Sequence, residues 1–306
     1  MSDATDRLTR FLIDRAGVRG VHVRLDEAWD QVLQRMRGEL AAAPAAMEML
    51  GEAIAAAALF TGHTKVDGRL SVQLRSQGPL RTLFAECTAA GTVRGLVRLA
   101  PGGEPVPRQL SALGDDSLLA ITIENPPAPG RRDPVRYQGL VGLEADSLAG
   151  AFEDYFRQSE QLPTRLLLAA GESAVAGLML QKLPGDEGDD DGWTRSSALF
   201  DTLTSTELLD VPVDTLLNRL FHEDGVQLLG GRALRFGCSC SAERVEAMLV
   251  SLGEDEALAA AGSSDTPGSA EITCEFCGQQ YQVTEARLRQ LLEAEAKGLE
   301  APGRTQ

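Results

Sequence analysis

The sequence predicts an α+β protein: an N-terminal domain of antiparallel sheet with packed helices, a helical linker, and a small C-terminal zinc-binding domain. Three observations carry this. Short β-prone runs succeed one another between Gly, Pro and Asp clusters, without the regular strand-helix-strand alternation of a doubly wound sheet. Helical spacing of apolar residues returns after a Gly- and Asp-rich break at residues 184–192. Four of the five cysteines then fall in two close pairs. A chain of 306 residues suits roughly two compact units. The expected boundaries are 1–183 for the α+β core, 184–230 for an acidic and helical linker, 231–293 for the metal-binding unit and 294–306 for a flexible tail.

Taken in order, Val21, Val23 and Leu25 alternate with polar residues as a half-buried strand does. Asp26 is then placed to cap a helix with Trp29, Val32, Leu33, Met36 and Leu40 on one face. An alanine-rich helix follows from about Ala45 to Phe60, and Leu70, Val72 and Leu74 alternate ahead of a Gly78-Pro79 turn. Strands are expected at Val93 to Leu99, Leu119 to Ile123, Tyr137 to Leu143, Thr164 to Ala169 and Val175 to Leu180. Ser147 caps one interrupting helix that buries Leu148, Phe152, Tyr155 and Phe156. Beyond the break, Leu199 and Leu203 share a stripe, and Val213, Leu216, Leu217, Leu220 and Phe221 repeat at helical spacing after Pro212. Such an apolar face is expected to pack on the preceding sheet.

The chemistry concentrates in Cys238-Ser239-Cys240 and, 33 residues later, Cys274-Glu275-Phe276-Cys277-Gly278. Each pair supplies two thiolates from one turn, and a tetrahedral zinc ion joins the turns. Around them Ser241 caps a helix burying Val245, Met248, Leu249 and Leu252, ended by Gly253; Ile272 and Tyr281 with Val283 flank the second turn as strands. Thr284 caps a last helix with Leu288, Leu291 and Leu292 inward and Gly298 beyond its end. A unit of about sixty residues is marginal on apolar burial alone, so the metal is what holds it folded. Spacing alone favours a structural staple. The tight Cys-x-Cys raises a redox switch, because a disulfide across one residue is strained and easily reduced, and oxidised thiolates no longer ligate.

Charge and motifs exclude other functions. The 45 acidic against 29 basic residues give −16, which repels phosphate backbones, so nucleic acid is not an expected partner. The acidic run Asp186, Glu187, Asp189, Asp190 and Asp191 reads as solvated linker. No stretch is expected to span a membrane and the opening Met1-Ser2-Asp3-Ala4-Thr5-Asp6-Arg7 lacks a signal core, which predicts a cytoplasmic protein. There is no phosphate loop, so no nucleotide is expected. Cys87 reads as a core thiol, and the scattered His22, His63 and His222 as non-ligands. Ser159 and Glu160 read as part of a turn into a strand rather than as catalytic groups.

The cysteine segments Phe236-Gly237-Cys238-Ser239-Cys240 and Cys274-Glu275-Phe276-Cys277-Gly278, with Ser159-Glu160-Gln161-Leu162-Pro163-Thr164-Arg165, are similar to the heat-shock protein 33 family of redox-regulated bacterial chaperones. Val18-Arg19-Gly20 and Val72-Gln73-Leu74 with Gly78-Pro79-Leu80 add weaker similarity, so that the resemblance covers nearly the whole chain. It implies a non-enzymatic, ATP-independent holdase for unfolding clients. Reduced, it would be inactive with one zinc on Cys238, Cys240, Cys274 and Cys277. Oxidised, it would carry the disulfides Cys238–Cys240 and Cys274–Cys277, lose zinc, loosen its C-terminal unit and linker, and form a homodimer. The run Asp189-Asp190-Asp191 and the loop from Gly262 to Ser269 depart from the family pattern. Two other classes remain beside it: a scaffold with a purely structural zinc ribbon, and a thiol-disulfide oxidoreductase, which would ordinarily open a helix with its Cys-x-x-Cys in a βαβ setting.

Overall fold

The computed structural model describes residues 6–40, 43–103, 105–128, 130–131, 133–185, 188–262 and 268–300. The expectations for Asp186, Glu187, the centre of the loop from Gly262 to Ser269 and the end of the tail lie outside them, as does the Leu40 side chain. The chain divides into two compact units, Met1–Gly237 and Cys238–Gln306.

The larger unit begins with β1 (Arg7–Ile13), β2 (Val18–Leu25), α1 (Glu27–Leu40) and α2 (Pro44–His63). The strands β3 (Arg69–Arg75), β4 (Leu80–Thr88), β5 (Thr92–Leu99), β6 (Leu118–Asn125) and β7 (Val135–Val141) follow. Then come α3 (Leu148–Tyr155), β8 (Thr164–Ala170), β9 (Val175–Lys182), α4 (Gly192–Phe200), α5 (Ser205–Asp210) and α6 (Val213–Phe221), and finally β10 (Val226–Ala233) and β11 (Arg235–Phe236). One sheet runs β10-β1-β2-β9-β8 and the other β11-β5-β4-β3-β6-β7. Pairing is antiparallel throughout except for the short parallel contact of β11 with β5.

Alanine explains the centre. Helix α2 packs against strands of both sheets, and Ala53, Ala55, Ala56, Ala57 and Ala58 are fully buried, because small side chains let a helix approach strands on several sides at once. The strands reciprocate: a Cβ on Gly177 would lie 2.7 Å from Leu59, and one on Gly95 2.9 Å from Ile54. Contrary to the sequence reading, α2 is long and apolar enough to cross a membrane, but 78% of that stretch is buried inside the unit, and it is a core helix.

Helices α4 to α6 cover the five-stranded sheet as expected: Phe200, Leu203, Leu208, Leu216, Leu217 and Phe221 join one buried cluster with Phe11, Val18 and Leu178. A capping box between Thr204 and Glu207 starts α5, and Pro212 stands at the N-cap of α6. Two local expectations are corrected. The amides of Asp26 and Ala28 at the start of α1 donate to the carboxylate of Asp6, at 2.6 and 2.9 Å, while Asp26 itself pairs with Arg24. Residues 231–236, read as the start of the metal-binding unit, form strand pairs with β1 and β5 of the larger unit.

The smaller unit contains α7 (Ala242–Ser251), α8 (Glu254–Gly262), β12 (Ser269–Thr273), β13 (Gln280–Thr284) and α9 (Glu285–Glu300). Its core is small, with Val245, Leu249, Ala261, Ala270, Val283 and Leu288 buried. Met248 and Leu252, expected inside, are 43% and 47% exposed. They stand off the face set by Val245 and Leu249, and α8 rather than a longer α7 covers the sheet. Gly298 lies within α9 rather than beyond it.

Candidate metal centre

Two turns converge at the cysteines. In the first, the Ser241 side chain accepts from Arg244 N at 3.3 Å to cap α7, and the Arg244 guanidinium donates to Ser239 O at 2.6 Å, fixing the backbone between Cys238 and Cys240. The second is the tight connection of β12 to β13. Cys274 N donates to Gln279 O at 2.9 Å and Gly278 N to Cys274 O at 2.8 Å. Gly278 sits at φ 72°, a left-handed conformation that a residue without Cβ adopts at no steric cost. Outside the turns, Arg287 of α9 holds Glu246 of α7 through two bonds of 2.9 Å, and Thr284 Oγ1 accepts from Arg287 N.

The result is a cluster in which the four sulfurs of Cys238, Cys240, Cys274 and Cys277 all lie within 4.8 Å of one another. The sulfurs of Cys238 and Cys274 lie 3.6 Å apart and those of Cys240 and Cys277 3.3 Å, each contact joining one cysteine from each pair, and no disulfide links the four. Ligands about 2.3 Å from a tetrahedral zinc ion are about 3.8 Å apart, so the donor set fits such an ion in size as well as in chemistry.

Electrostatics points the same way. Burial raises the thiols of Cys274 and Cys277, the latter to about 12; Cys238, Cys240 and Cys274 add to the shift of Cys277, whereas for Cys274 the Cys238 thiol adds to it and the Cys277 thiol opposes it. Backbone amides at Phe276, Cys277 and Gln279 oppose them. Tyr281 Oη donates to Cys240 Sγ at 3.0 Å. Four thiolates this close repel strongly, and a bound cation is what allows all of them to ionise.

Other candidate residues stay apart. Cys87 is enclosed in β4, where burial pushes its thiol up to about 11. His22 and His63 are in the core region of the larger unit, and His222 is an exposed residue after α6. Among the described residues, the cluster contains only the four cysteines. Ser159 and Glu160 lie in one π-turn, Phe156–Glu160, closed by Gln161 at φ 57° on the way into β8. Sequence reasoning missed the hydrogen bond of Tyr281 to the cluster, since an aromatic in a strand reads as packing. It also missed the contacts of Arg195, although its spacing four residues after Asp191 is an ion-pair signal.

Comparison with known proteins gives a consistent family. A family model described as "Hsp33 protein" matches residues 6–284. The chain is similar to the 33 kDa chaperonin of Chromobacterium violaceum, 39% identical over 293 residues, covering 94% of each chain. It is likewise 40% identical over 304 residues to the 33 kDa chaperonin of Ectopseudomonas mendocina, covering 97% of both. The crystal structure of the 33 kDa chaperonin, a heat shock protein 33 homolog, from Thermotoga maritima superposes with a TM-score of 0.72 at 21% identity, covering 96% of this chain and 99% of that one.

Proposed function

The chain belongs to the Hsp33 family, and from that premise we propose that this chaperone is an ATP-independent holdase switched by oxidation of its cysteine cluster. The gathering of Cys238, Cys240, Cys274 and Cys277 within 4.8 Å carries the reading. In the reduced protein these four thiolates hold one zinc ion, which supplies the positive charge and the cross-link that a small apolar core lacks. Oxidation by a compound such as hypochlorous acid removes two electrons per disulfide, and the oxidant leaves as chloride and hydroxide. Two equivalents convert the four thiolates to Cys238–Cys240 and Cys274–Cys277. Without thiolates the chain no longer binds the metal, and the turns holding α7 and α9 lose their common anchor.

Loosening then extends to α4–α6, whose departure bares the apolar residues they share with the five-stranded sheet. Unfolding clients bind that apolar surface by the same burial that seats the helices. The oxidised chain acts as a homodimer in the cytoplasm and needs neither nucleotide nor nucleic acid. Zinc content and suppression of a thermally unfolding client's aggregation are to be followed in one sample, before and after hypochlorous acid and again after dithiothreitol with zinc. Activity is expected to appear as zinc departs, and both to reverse on reduction. Retained zinc, or aggregation that is never suppressed, makes the cluster a structural staple.

A further inference from the structure

The apolar interface beneath α4–α6 supplies attraction without direction, so the placement of this layer depends on polar contacts at its rim. Two guanidinium groups provide them. Arg195 of α4 donates from Nε to both oxygens of Asp224 at 3.1 Å and from Nη2 to Asp224 Oδ1 at 2.5 Å. Its Nη1 reaches Asp191 at 2.6 Å and its Nη2 reaches Asp189 at 3.2 Å. The Asp224 side chain, in the 3-10 turn leaving α6, is only 3% exposed. Backbone bonds meet at the same place: Arg15 N donates to Asp224 O at 3.2 Å and Asp189 N to Arg15 O at 2.8 Å. The Arg195 side chain thus joins the entry to α4 to the exit from α6, and the backbone bonds of Arg15 tie both to the β1–β2 turn.

At the other end of α4, Arg165 of β8 bridges Glu153 of α3 at 3.2 Å and Asp201, the residue that follows the helix. Two residues of the acidic run that composition assigns to solvent, Asp189 and Asp191, therefore serve as acceptors in the first of these contacts.

We propose that Arg195 and Arg165 are clamps that set how readily α4–α6 leave the five-stranded sheet, an inference that rests on the uncovering step of the chaperone reading. Each is charge-assisted and matched in geometry to carboxylates. Loss of Arg195 leaves the Asp224 carboxylate enclosed with no guanidinium, which disfavours the closed layer relative to an open one where water reaches it. Salt acts oppositely on the two parts of the interface, screening the partly exposed clamps and strengthening apolar burial when the anion is sulfate.

The test is hydrogen exchange on the reduced, zinc-loaded full-length protein, comparing amides of α4–α6 with those of β3–β6 at low and moderate sodium chloride. Arg195→Ala is expected to speed exchange in α4–α6 by about tenfold to a hundredfold, leaving β3–β6 within about twofold and zinc content unchanged. Arg195→Lys, which keeps the charge and loses the fork, is expected to fall between. Added salt should speed α4–α6 exchange in the wild type and clearly less in Arg195→Ala, where only the Arg165 clamp is left to screen. Arg165→Ala should open the layer in the same way.

Unchanged exchange in α4–α6, equal acceleration in β3–β6, or a full salt response in Arg195→Ala overturns the clamps. The double variant Arg195→Met with Asp224→Asn removes the clamp without stranding a charge; its layer should remain open, and a return to wild-type exchange also overturns them. If the layer opens while the reduced variant still fails to suppress client aggregation, the clamps stand and the uncovering step of the chaperone reading falls.

Discussion

His22 lies on β2 with its ring fully enclosed and its Nε2 without a hydrogen-bond partner, and burial lowers its pKa to about 4. His63, at the end of α2, is lowered to about 3 by burial and by the Arg19 guanidinium, whose Nη2 is 3.0 Å from the ring. An unfolded chain protonates both near pH 6.5, whereas the folded chain resists until well below, so acid favours unfolding. Their contribution to stability is complete above about pH 6.5 and is lost as pH falls toward about 4. Glu52 opposes them in part: burial raises it to about 6, so the folded chain takes up that proton before the unfolded chain does, between about pH 6 and 4.5. Urea midpoints of the larger unit should therefore fall between pH 6.5 and 4. His63→Gln should reduce the slope by up to one proton, about 1.4 kcal/mol per pH unit. An unaltered slope in that variant would show that His63 is not held neutral.

At the scale of elements, the second cysteine turn depends on one conformation. Gly278 at φ 72° lets its own N–H reach Cys274 O while Cys274 N reaches Gln279 O, the pair of bonds that aims both sulfurs inward. Space is not limiting, since a Cβ there would meet nothing within 4 Å, so Gly278→Ala tests backbone strain alone. The strain is about 1 kcal/mol, and zinc affinity measured by competition with a chromophoric chelator should weaken by about fivefold. Wild-type affinity would mean that the turn tolerates an ordinary residue.

The same turn shows what a sequence makes legible. Two close cysteine pairs signal one centre because the thiolates need a common cation, and period-2 or helical spacing located β3, α3 and α6 because each has one buried face, while β5 and β6 were legible as β-prone runs and α2 as an alanine-rich one. Strand β10 escaped: its Leu228 and Leu229 are exposed, two glycines interrupt it, and its pairing with β1 shifts register at Arg10/Phe11, so its stability comes from a distant partner rather than from its own pattern. Helix α8 escaped for a related reason, being mostly alanine and acid with little contrast between faces. The Asp6 cap of α1 was hidden because its carboxylate acts across β1 and β2, twenty residues from Asp26.

Across the whole molecule, the two units differ in what keeps them folded. The larger one buries two sheets and α2 in extended apolar clusters, and a unit of that size can be held folded by burial alone. Among its described residues the smaller one has a core cluster of six, four of them alanine or valine, beside a two-stranded sheet that would be marginal alone. Structural zinc sites contribute on the order of 10–16 kcal/mol in small peptides, as much as a whole domain's stability of about 5–15 kcal/mol. Removing the metal with a strong chelator under reducing conditions should therefore melt α7–α9 and the β12–β13 hairpin while β1–β9 stay protected. Circular dichroism should report a loss of helix, tryptic cleavage should begin at Arg244, Arg287 and Arg289, and zinc should restore both signals. This separates metal loss from disulfide formation, since no thiol is oxidised. If chelation leaves the smaller unit intact and only oxidation unfolds it, strain in the disulfides rather than loss of the ion drives the switch.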